Sequence, residues 1–302
     1  RCRRRVDSWR HLTTRYYCGY FMKAVVVYNP KSGSSLPKHV LKKKLTNANI
    51  NIETFIDVTD NFEKHIKPFV DQSRVIVIGY GGDGTLSSIA KELQYTKTVF
   101  APLPGGTLNH FTKDLGIEQD LDMAITQLQT AKIHHIDIAK INGRPFLNNS
   151  SLGLYPSSLA ERSRIETKLG KWPAAIFASV RAFVTFRTYT VTINTTEFRT
   201  PFLFVGNNNY DIDSLMTRKS LDKGILSVFM VTSNKRTALL KTILLSVIGK
   251  ARESTAFEIH ETKSIKIHIK KSRVRVSFDG EHAKIETPLN YEIAAGALRV
   301  LY

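Results

Sequence analysis

The sequence predicts an α/β domain with a parallel sheet, followed by a second domain that is mainly antiparallel β. From residues 23 to 136, apolar strand-like runs alternate with helical patterns, which is typical of strands joined by crossover helices. After Asp137, strand-like segments follow one another closely, and Asn142-Gly143 is a strong hairpin signal. The predicted domains are therefore residues 22–137 and residues 138–302.

Residues 1–21 differ from the rest of the chain. They contain six arginines and one acidic residue, without a clear apolar period, and strand-like sequence begins just after Met22. We interpret this segment as a disordered upstream extension. A basic targeting or membrane-binding arm is the alternative.

Charge and cysteine content indicate which partners and which cellular compartment to expect. The 302 residues include 44 Lys and Arg against 26 Asp and Glu, a net charge of +18, which favours anionic partners such as phosphates, nucleic acid or an acidic lipid surface. Cys2 and Cys18 both lie near the start of the chain, so no disulfide framework is expected and a cytoplasmic protein is predicted. The longest apolar stretch, residues 238–248, is too short to span a bilayer.

Four strands and three helices are predicted in the first domain. The strands cover residues 24–28, 51–58, 75–78 and 98–101, and the helices cover residues 36–48, 60–70 and 85–93. The unbroken apolar run of the first strand is typical of a strand covered on both faces. Asp60 and Glu63 have the spacing of a capping box for the second helix. The loops after the first, third and fourth strands lie at strand carboxyl ends, where such sheets bind ligands.

In the second domain the predicted segments are mostly strands. A hairpin joins residues 138–141 to 145–149, and further strands are predicted at residues 189–194, 198–206, 225–231, 256–260, 264–270 and 273–278. Helical patches are predicted at residues 158–186 and 235–252. The second patch is basic and amphipathic, which fits an anionic membrane surface or a helix that packs on the sheet. The final strands of the chain are candidates to return to the first domain.

Gly81-Gly82-Asp83-Gly84-Thr85 is the most informative stretch, because it stands where the third strand turns into a helix. A helix start offers unpaired N–H groups, and glycines let a phosphate approach the backbone. A nucleotide with its metal is therefore predicted here. The stretch from Gly79 also matches the dinucleotide pattern G-x-G-x-x-G, but it follows the third strand rather than the first and lacks an acid about 20 residues on.

Four motifs in this order resemble the diacylglycerol kinase catalytic family. They are Asn29-Pro30-Lys31-Ser32-Gly33, Gly81–Thr85, Pro104-Gly105-Gly106-Thr107-Leu108-Asn109 and Asp279-Gly280-Glu281. Their spacing is similar to that of the bacterial soluble lipid kinases of this family, which are related to sphingosine kinases, and residues 146–153 and 205–208 are similar as well. The resemblance covers residues 22–302. It implies a nucleotide-binding α/β domain and a lipid-binding β-sandwich domain, with the active site in the cleft between them.

The resemblance also implies roles for individual residues. Contacts with ATP are implied for Asn29, Pro30, Lys31, Ser32, Gly33, Thr59, Gly82, Asp83, Gly84, Thr85 and Thr107. Asp279 is implied as the base that takes the proton from the acceptor hydroxyl, and Glu281 as a residue that helps to hold magnesium or shares the proton transfer. Asp83, Asp137 and Glu281 are implied as a magnesium-binding set. Because Asp279 and Glu281 are at positions i and i+2, their side chains are expected to face the same side.

Four residues depart from the family pattern. Ser87-Ser88 stands where the family usually has Asn-Glu, and His110 stands where it usually has Asp. Lys223 replaces an acid that normally helps to bind a structural magnesium ion in the second domain. Since an ammonium group could take the place of that ion, this second metal is predicted to be absent.

The resemblance implies an ATP- and magnesium-dependent lipid kinase, with diacylglycerol as the favoured acceptor and phosphatidic acid as product. Such a protein would act in the cytoplasm, peripherally at the inner face of the membrane. A NAD-kinase-like enzyme shares the Gly-Gly-Asp-Gly motif and is one alternative; a nucleotide- or lipid-binding module that has lost catalysis is another. Nucleic acid is not expected as a partner, because only the charge favours it. The acceptor lipid and a homodimer are left open.

Overall fold

A computed structural model describes residues 23–153, 188–193, 196–211, 217–218, 220–231, 245 and 257–302. The predicted basic segment of residues 1–21 and the helical patch of residues 158–186 lie outside these ranges. The patch of residues 235–252 also lies outside them, apart from residue 245. None of the helices in the described ranges is both long and apolar enough to cross a bilayer.

The first domain is built on a parallel sheet with helices beside it. Its strands are β1 (Lys23–Tyr28), β2 (Ile52–Asp57), β3 (Val75–Gly81) and β4 (Val99–Pro104), in the order β2-β1-β3-β4. Its helices are α1 (Lys38–Asn47), α2 (Phe62–Ile66), α3 (Asp83–Leu93), α4 (His110–Asp114) and α5 (Leu121–Leu128), with a 3₁₀ turn at Lys67–Phe69. Five consecutive residues of β1 are buried, which is why the strand reads as an unbroken apolar run.

The described strands of the second domain form a six-stranded antiparallel sheet, an extension of the first sheet, and a small two-stranded sheet of β11 and β12. They are β5 (Ile133–Ile141), β6 (Arg144–Phe146), β7 (Asn149–Gly153), β8 (Tyr189–Ile193), β9 (Thr196–Thr200), β10 (Phe202–Asn207), β11 (Tyr210–Asp211), β12 (Thr217–Arg218), β13 (Leu226–Val231), β14 (Phe257–Thr262), β15 (Ser264–Ile269), β16 (Arg273–Phe278), β17 (Glu281–Glu286) and β18 (Leu289–Leu301). The six-stranded sheet has the order β14-β13-β10-β7-β16-β17. Val191 and Ile267 of the extended sheet share one core with Val205 and Val228 of the other. The predicted sandwich is confirmed.

The last strand, β18, belongs to both halves of the molecule. Its first residues pair antiparallel with β15, and Val300 near its end pairs parallel with Phe100 of β4. Strand β5 runs antiparallel along most of its length, with a register shift near Gly296, whose φ of +60° suits glycine. One continuous sheet therefore passes from the first domain into the second.

Two local predictions are wrong for identifiable reasons. The predicted strand of residues 198–206 is two strands, β9 and β10, which belong to different sheets and meet at Pro201. Proline cannot donate to a ladder, so the chain changes sheets there. The predicted capping box of Asp60 is absent: α2 begins at Phe62, and its N-cap residue Asn61 makes no side-chain capping bond.

Candidate active site

Three loops meet at the carboxyl edge of the parallel sheet, after β1, β3 and β4. A Cβ atom added to Gly106 would overlap the Cα atom of Gly82, and one added to Gly33 would overlap Thr107 Oγ1. Only glycine permits so close an approach between loops. The loops that the sequence singles out therefore form one surface at the sheet edge, beside the start of α3, where N–H groups favour anions.

Asn29 ties two of these loops together. Its Nδ2 atom donates to Thr85 Oγ1 at 2.9 Å, and its Oδ1 atom accepts from the Lys31 N–H, also at 2.9 Å. Both the nitrogen and the oxygen of the side-chain amide are therefore hydrogen-bonded, and the amide stabilises the conformation of the loop. Of the following residues, Ser32 is half-buried, while Pro30, Lys31 and Gly33 are exposed.

Thr59 does not join these loops. It follows β2, which β1 separates from β3, and its N–H and hydroxyl both donate to Asp57 Oδ1 at 2.8 Å. Thr107 is exposed and lies beside Gly33. The structure therefore brings Thr107 together with the glycine loops and leaves Thr59 at the edge of the sheet.

Asp83 accepts hydrogen bonds from the start of α4. Its two carboxylate oxygens accept from the backbone N–H groups of His110, at 3.1 Å, and Phe111, at 2.8 Å. A carboxylate at a helix N-terminus satisfies unpaired donors and interacts favourably with the helix dipole. Asp83 thereby fixes the loop after β4 against the loop after β3.

A cleft with a cavity volume of about 440 Å³ opens beside α3. One wall comes from the first domain and the other from the β5–β6 and β16–β17 hairpins; the lining residues are Gly84, Ser87, Ser88, Lys91, Gly143, Arg144, Pro145, Phe278, Asp279 and Glu281. A Cβ atom on Gly84 would meet nothing within 4 Å. The first turn of α3, with Gly84, and the predicted base Asp279 thus line the same cleft.

Asp279 is held by three donors. It occupies a tight turn with Gly280, and both residues have positive φ, as a two-residue hairpin of type I′ requires. Asp279 Oδ2 accepts from Ser87 Oγ at 2.5 Å and from the Leu147 N–H at 2.7 Å, while Oδ1 accepts from the Asn148 N–H at 2.7 Å. Burial raises the pKa of Asp279, and the Ser87, Leu147 and Asn148 bonds counter that shift.

Glu281 lies on the other side of the same turn. It is the first residue of β17, pairs with Phe278 of β16, and is exposed. The strand alternation that predicts a shared face for Asp279 and Glu281 does not apply, because the chain reverses between them. Both carboxylates nevertheless line the cleft.

Asp137 does not join Asp83 and Glu281. Its carboxylate is buried and accepts from the backbone N–H groups of Gly224, at 2.6 Å, and Gly296, at 2.7 Å. Within the described ranges, no three His, Cys, Asp or Glu residues lie close enough to hold a metal ion together. Among the described residues, the structure therefore does not bring the three predicted magnesium ligands together, and the carboxylates of Asp83 and Asp137 accept bonds from backbone N–H groups at different places in the fold.

The positions that depart from the family pattern each have a partner. Ser87 bonds Asp279, Ser88 Oγ donates to the Gly84 carbonyl at 3.0 Å, and the His110 N–H bonds Asp83. The Lys223 N–H donates to Asn208 Oδ1 at 2.8 Å, in the turn that Asp137 holds.

Sequence reasoning missed the residues that surround Asp279. The bond from Ser87 has no local sequence signal, since 192 positions separate the two residues. Leu147 and Asn148 lie in a stretch that resembles the family, but their backbone N–H groups carry the contact. Arg218, a buried residue, belongs to none of the motifs that the sequence analysis identifies.

Comparisons with known proteins agree with this layout. A family model described as "Diacylglycerol kinase catalytic domain" matches residues 23–141, and one described as "YegS C-terminal NAD kinase beta sandwich-like domain" matches residues 156–302. A diacylglycerol kinase of Staphylococcus aureus is 24% identical over 285 residues, 89% of each chain. A diacylglycerol kinase of Staphylococcus epidermidis is 30% identical over 141 residues. The matched part makes up 43% of this chain and 43% of that protein. The crystal structure of a diacylglycerol kinase from Bacillus anthracis shares the fold, with a TM-score of 0.71 and 24% identity over 94% of this chain and 98% of that one.

Proposed function

Because the chain belongs to the diacylglycerol kinase catalytic family, we propose that it transfers the γ-phosphoryl group of ATP to a hydroxyl of a membrane lipid. Diacylglycerol is the favoured acceptor, with phosphatidic acid as product. The observation that carries the proposal is the shared cleft, which has the glycine-rich start of α3 at one wall and the Asp279 carboxylate at the other.

Asp279 is suited to act as the general base. Its carboxylate reaches the cleft while three donors fix its orientation, and burial raises its pKa toward the range in which a base is effective. In the reaction, the acceptor oxygen forms a bond to the γ-phosphorus, and its proton passes to Asp279. The bond between the γ-phosphorus and the bridging oxygen breaks, and ADP leaves with the electron pair.

The glycine loops are suited to bind the phosphates of ATP. Helix α3 has 11 residues and begins at Asp83, so its first N–H groups face the loop surface formed with Gly33 and Gly106. Gly84 leaves open space in which a phosphate can approach the backbone. Fixed N–H donors of this kind stabilise the negative charge of a phosphoryl group during its transfer.

The described part of the chain offers magnesium no cluster of three carboxylates. Glu281 is exposed in the cleft, but Asp83 and Asp137 are occupied by backbone donors elsewhere. We therefore propose that magnesium arrives with the phosphates of ATP, and we assign the protein's own part in the reaction to Asp279 and the loop N–H groups.

The acceptor would reach the cleft from a membrane surface. Lys91 and Arg144 are exposed at the cleft and make no ion pair with any described residue, and the chain as a whole has a net charge of +18. Cations near an anionic lipid surface each contribute about 1 kcal/mol of attraction. We propose that the protein acts peripherally at the inner face of the membrane, from the cytoplasm.

A single assay tests the proposed function. The purified protein is incubated with labelled ATP, magnesium and vesicles that contain diacylglycerol, and the lipids are then extracted. We expect labelled phosphatidic acid from the wild type and at least a 100-fold loss, on the order of what a positioned base supplies, in Asp279→Asn. No labelled lipid from the wild type, or equal labelling by the variant, would refute the proposal.

A second acceptor should be included, because the second domain matches a model described as NAD kinase beta sandwich-like. Added NAD offers a hydroxyl on a soluble nucleotide instead of a lipid. Labelled NADP in place of labelled lipid would select this alternative.

A further inference from the structure

Arg218 is a buried cation that lies outside the cleft. It is 8% exposed, it stands on β12 opposite Tyr210 of β11, and it is not among the residues that line the cavity. Its guanidinium carbon lies 5.7 Å from the centroid of the Tyr210 ring. A buried charge costs several kcal/mol unless it is paired and hydrogen-bonded, so the partners of Arg218 indicate what it does.

The guanidinium group bonds three different groups at once. Arg218 Nε donates to Asp114 Oδ2 at 2.7 Å, Nη1 donates to the Leu147 carbonyl at 2.6 Å, and Nη2 donates to Asn148 Oδ1 at 2.9 Å. Asp114 is the last residue of α4 in the first domain, whereas the other two belong to the second. The rigid planar fork of arginine suits such an arrangement, and the single ammonium of lysine cannot reproduce it.

The segment that Arg218 holds is the segment that holds Asp279. The N–H groups of Leu147 and Asn148 donate to the two carboxylate oxygens of Asp279, each at 2.7 Å. The Tyr210 hydroxyl donates to the Asn148 carbonyl at 3.0 Å, and burial raises the pKa of Tyr210 to about 12, which keeps it a donor. Any shift of this segment would turn the Asp279 carboxylate.

We propose that Arg218 is a positioning residue for phosphoryl transfer. Through its ion pair with Asp114, Arg218 holds the Leu147–Asn148 segment in place. The segment in turn orients the Asp279 carboxylate toward the acceptor hydroxyl. This inference rests on the proposed function, in which Asp279 is the base. It adds that the geometry of the base depends on an ion pair that joins the two domains.

The kinetic test compares Arg218→Lys, which keeps the charge and loses the fork, with Asp114→Asn and the double variant. We expect kcat to fall about 10-fold in each single variant while KM for ATP stays within about twofold, because misplaced catalytic groups slow chemistry without loss of the nucleotide site. The double variant should lose little more than the worse single variant, because Asp114 acts on the segment through its contact with Arg218. Arg273→Lys, at an exposed ion pair with Glu286, is the matched control and should keep the wild-type kcat.

Amide hydrogen exchange separates this inference from the proposed function. In Arg218→Lys, the amides of Leu147 and Asn148 should exchange at least about 10-fold faster, while those of Val205 and Val228 in the six-stranded sheet stay protected. Unchanged exchange at Leu147 and Asn148 would overturn the inference, as would faster exchange with a wild-type kcat. A wild-type protein without kinase activity would refute the proposed function, and the exchange result would still decide whether Arg218 holds the segment.

Discussion

Ser87 Oγ donates a hydrogen bond to Asp279 Oδ2 at 2.5 Å, and it does so across the cleft from helix α3 to the β16–β17 turn. The family pattern that this chain resembles leads one to expect asparagine at this position. The replacement therefore keeps a side-chain donor next to the carboxylate, in a shorter residue. In this chain the serine therefore contacts the predicted base directly.

The first prediction concerns pH. As a base, Asp279 must be ionised, so activity is lost as pH falls through its pKa, which burial raises above the ordinary value of an aspartate. The Ser87 bond lowers that pKa, so Ser87→Ala should raise it further and move the acid limb of kcat/KM to higher pH. The shift should be about one pH unit, because a bond to a charged group contributes about 1.5 kcal/mol.

The neighbouring serine supplies the control for this pH profile. Ser88 Oγ donates to the Gly84 carbonyl and not to Asp279, so Ser88→Ala should keep the wild-type acid limb. The same acid limb in Ser87→Ala, Ser88→Ala and wild type would show that the Ser87 bond does not tune the base.

The second prediction separates a structural from a metal-binding role for Asp83. Asp83→Asn weakens the two bonds to the start of α4 and should lower the free energy of unfolding by about 1 kcal/mol. Chemical denaturation would measure this loss. At a fixed ATP concentration, the magnesium concentration for half-maximal activity should not change. A several-fold rise in that concentration would instead assign Asp83 to the metal.

The third prediction uses two glycines with different surroundings. Gly84→Ala places a methyl group in the open cleft, so the variant should keep its Tm while KM for ATP rises at least about 10-fold. Alanine is also the better helix former at this position. Gly106→Ala must collide with Gly82 and should lower Tm by several degrees, since overpacking costs about 1–3 kcal/mol. Thermal denaturation and ATP titration of both variants check this contrast, and an unchanged KM in Gly84→Ala would remove Gly84 from the phosphate site.

The fourth prediction concerns the cations at the cleft. Arg144→Ala should lower activity on vesicles rich in anionic lipid about fivefold, the equivalent of about 1 kcal/mol, and the difference should shrink as salt is raised. Arg273→Ala removes the same charge at a place outside the cleft and should have little effect. Equal losses in both variants would indicate that net charge alone attracts the membrane.

The sequence predicts the sheets well and the contacts between them poorly. Strand β3 is evident in the sequence as a continuous apolar run, and β16 begins with an alternation of charged and apolar residues. The meeting of Gly82 with Gly106 follows from parallel order, which brings strand carboxyl ends to one edge. The bonds that Asp137 accepts from Gly224 and Gly296 could not be predicted, because the sequence does not distinguish a carboxylate that binds backbone N–H groups from one that binds a metal. Arg218 is missed because its role depends on contacts far from it along the chain.

The pairing of strand β18 limits how the two domains can move relative to each other. The strand crosses the domain junction together with β5, and the two strands are hydrogen-bonded along most of their length. Two domains joined in this way cannot swing about a flexible linker, because opening the cleft would bend a paired ribbon or break its ladder. We therefore expect the width of the cleft to change little during turnover, so that the fit of the acceptor is decided by the walls of a nearly constant channel.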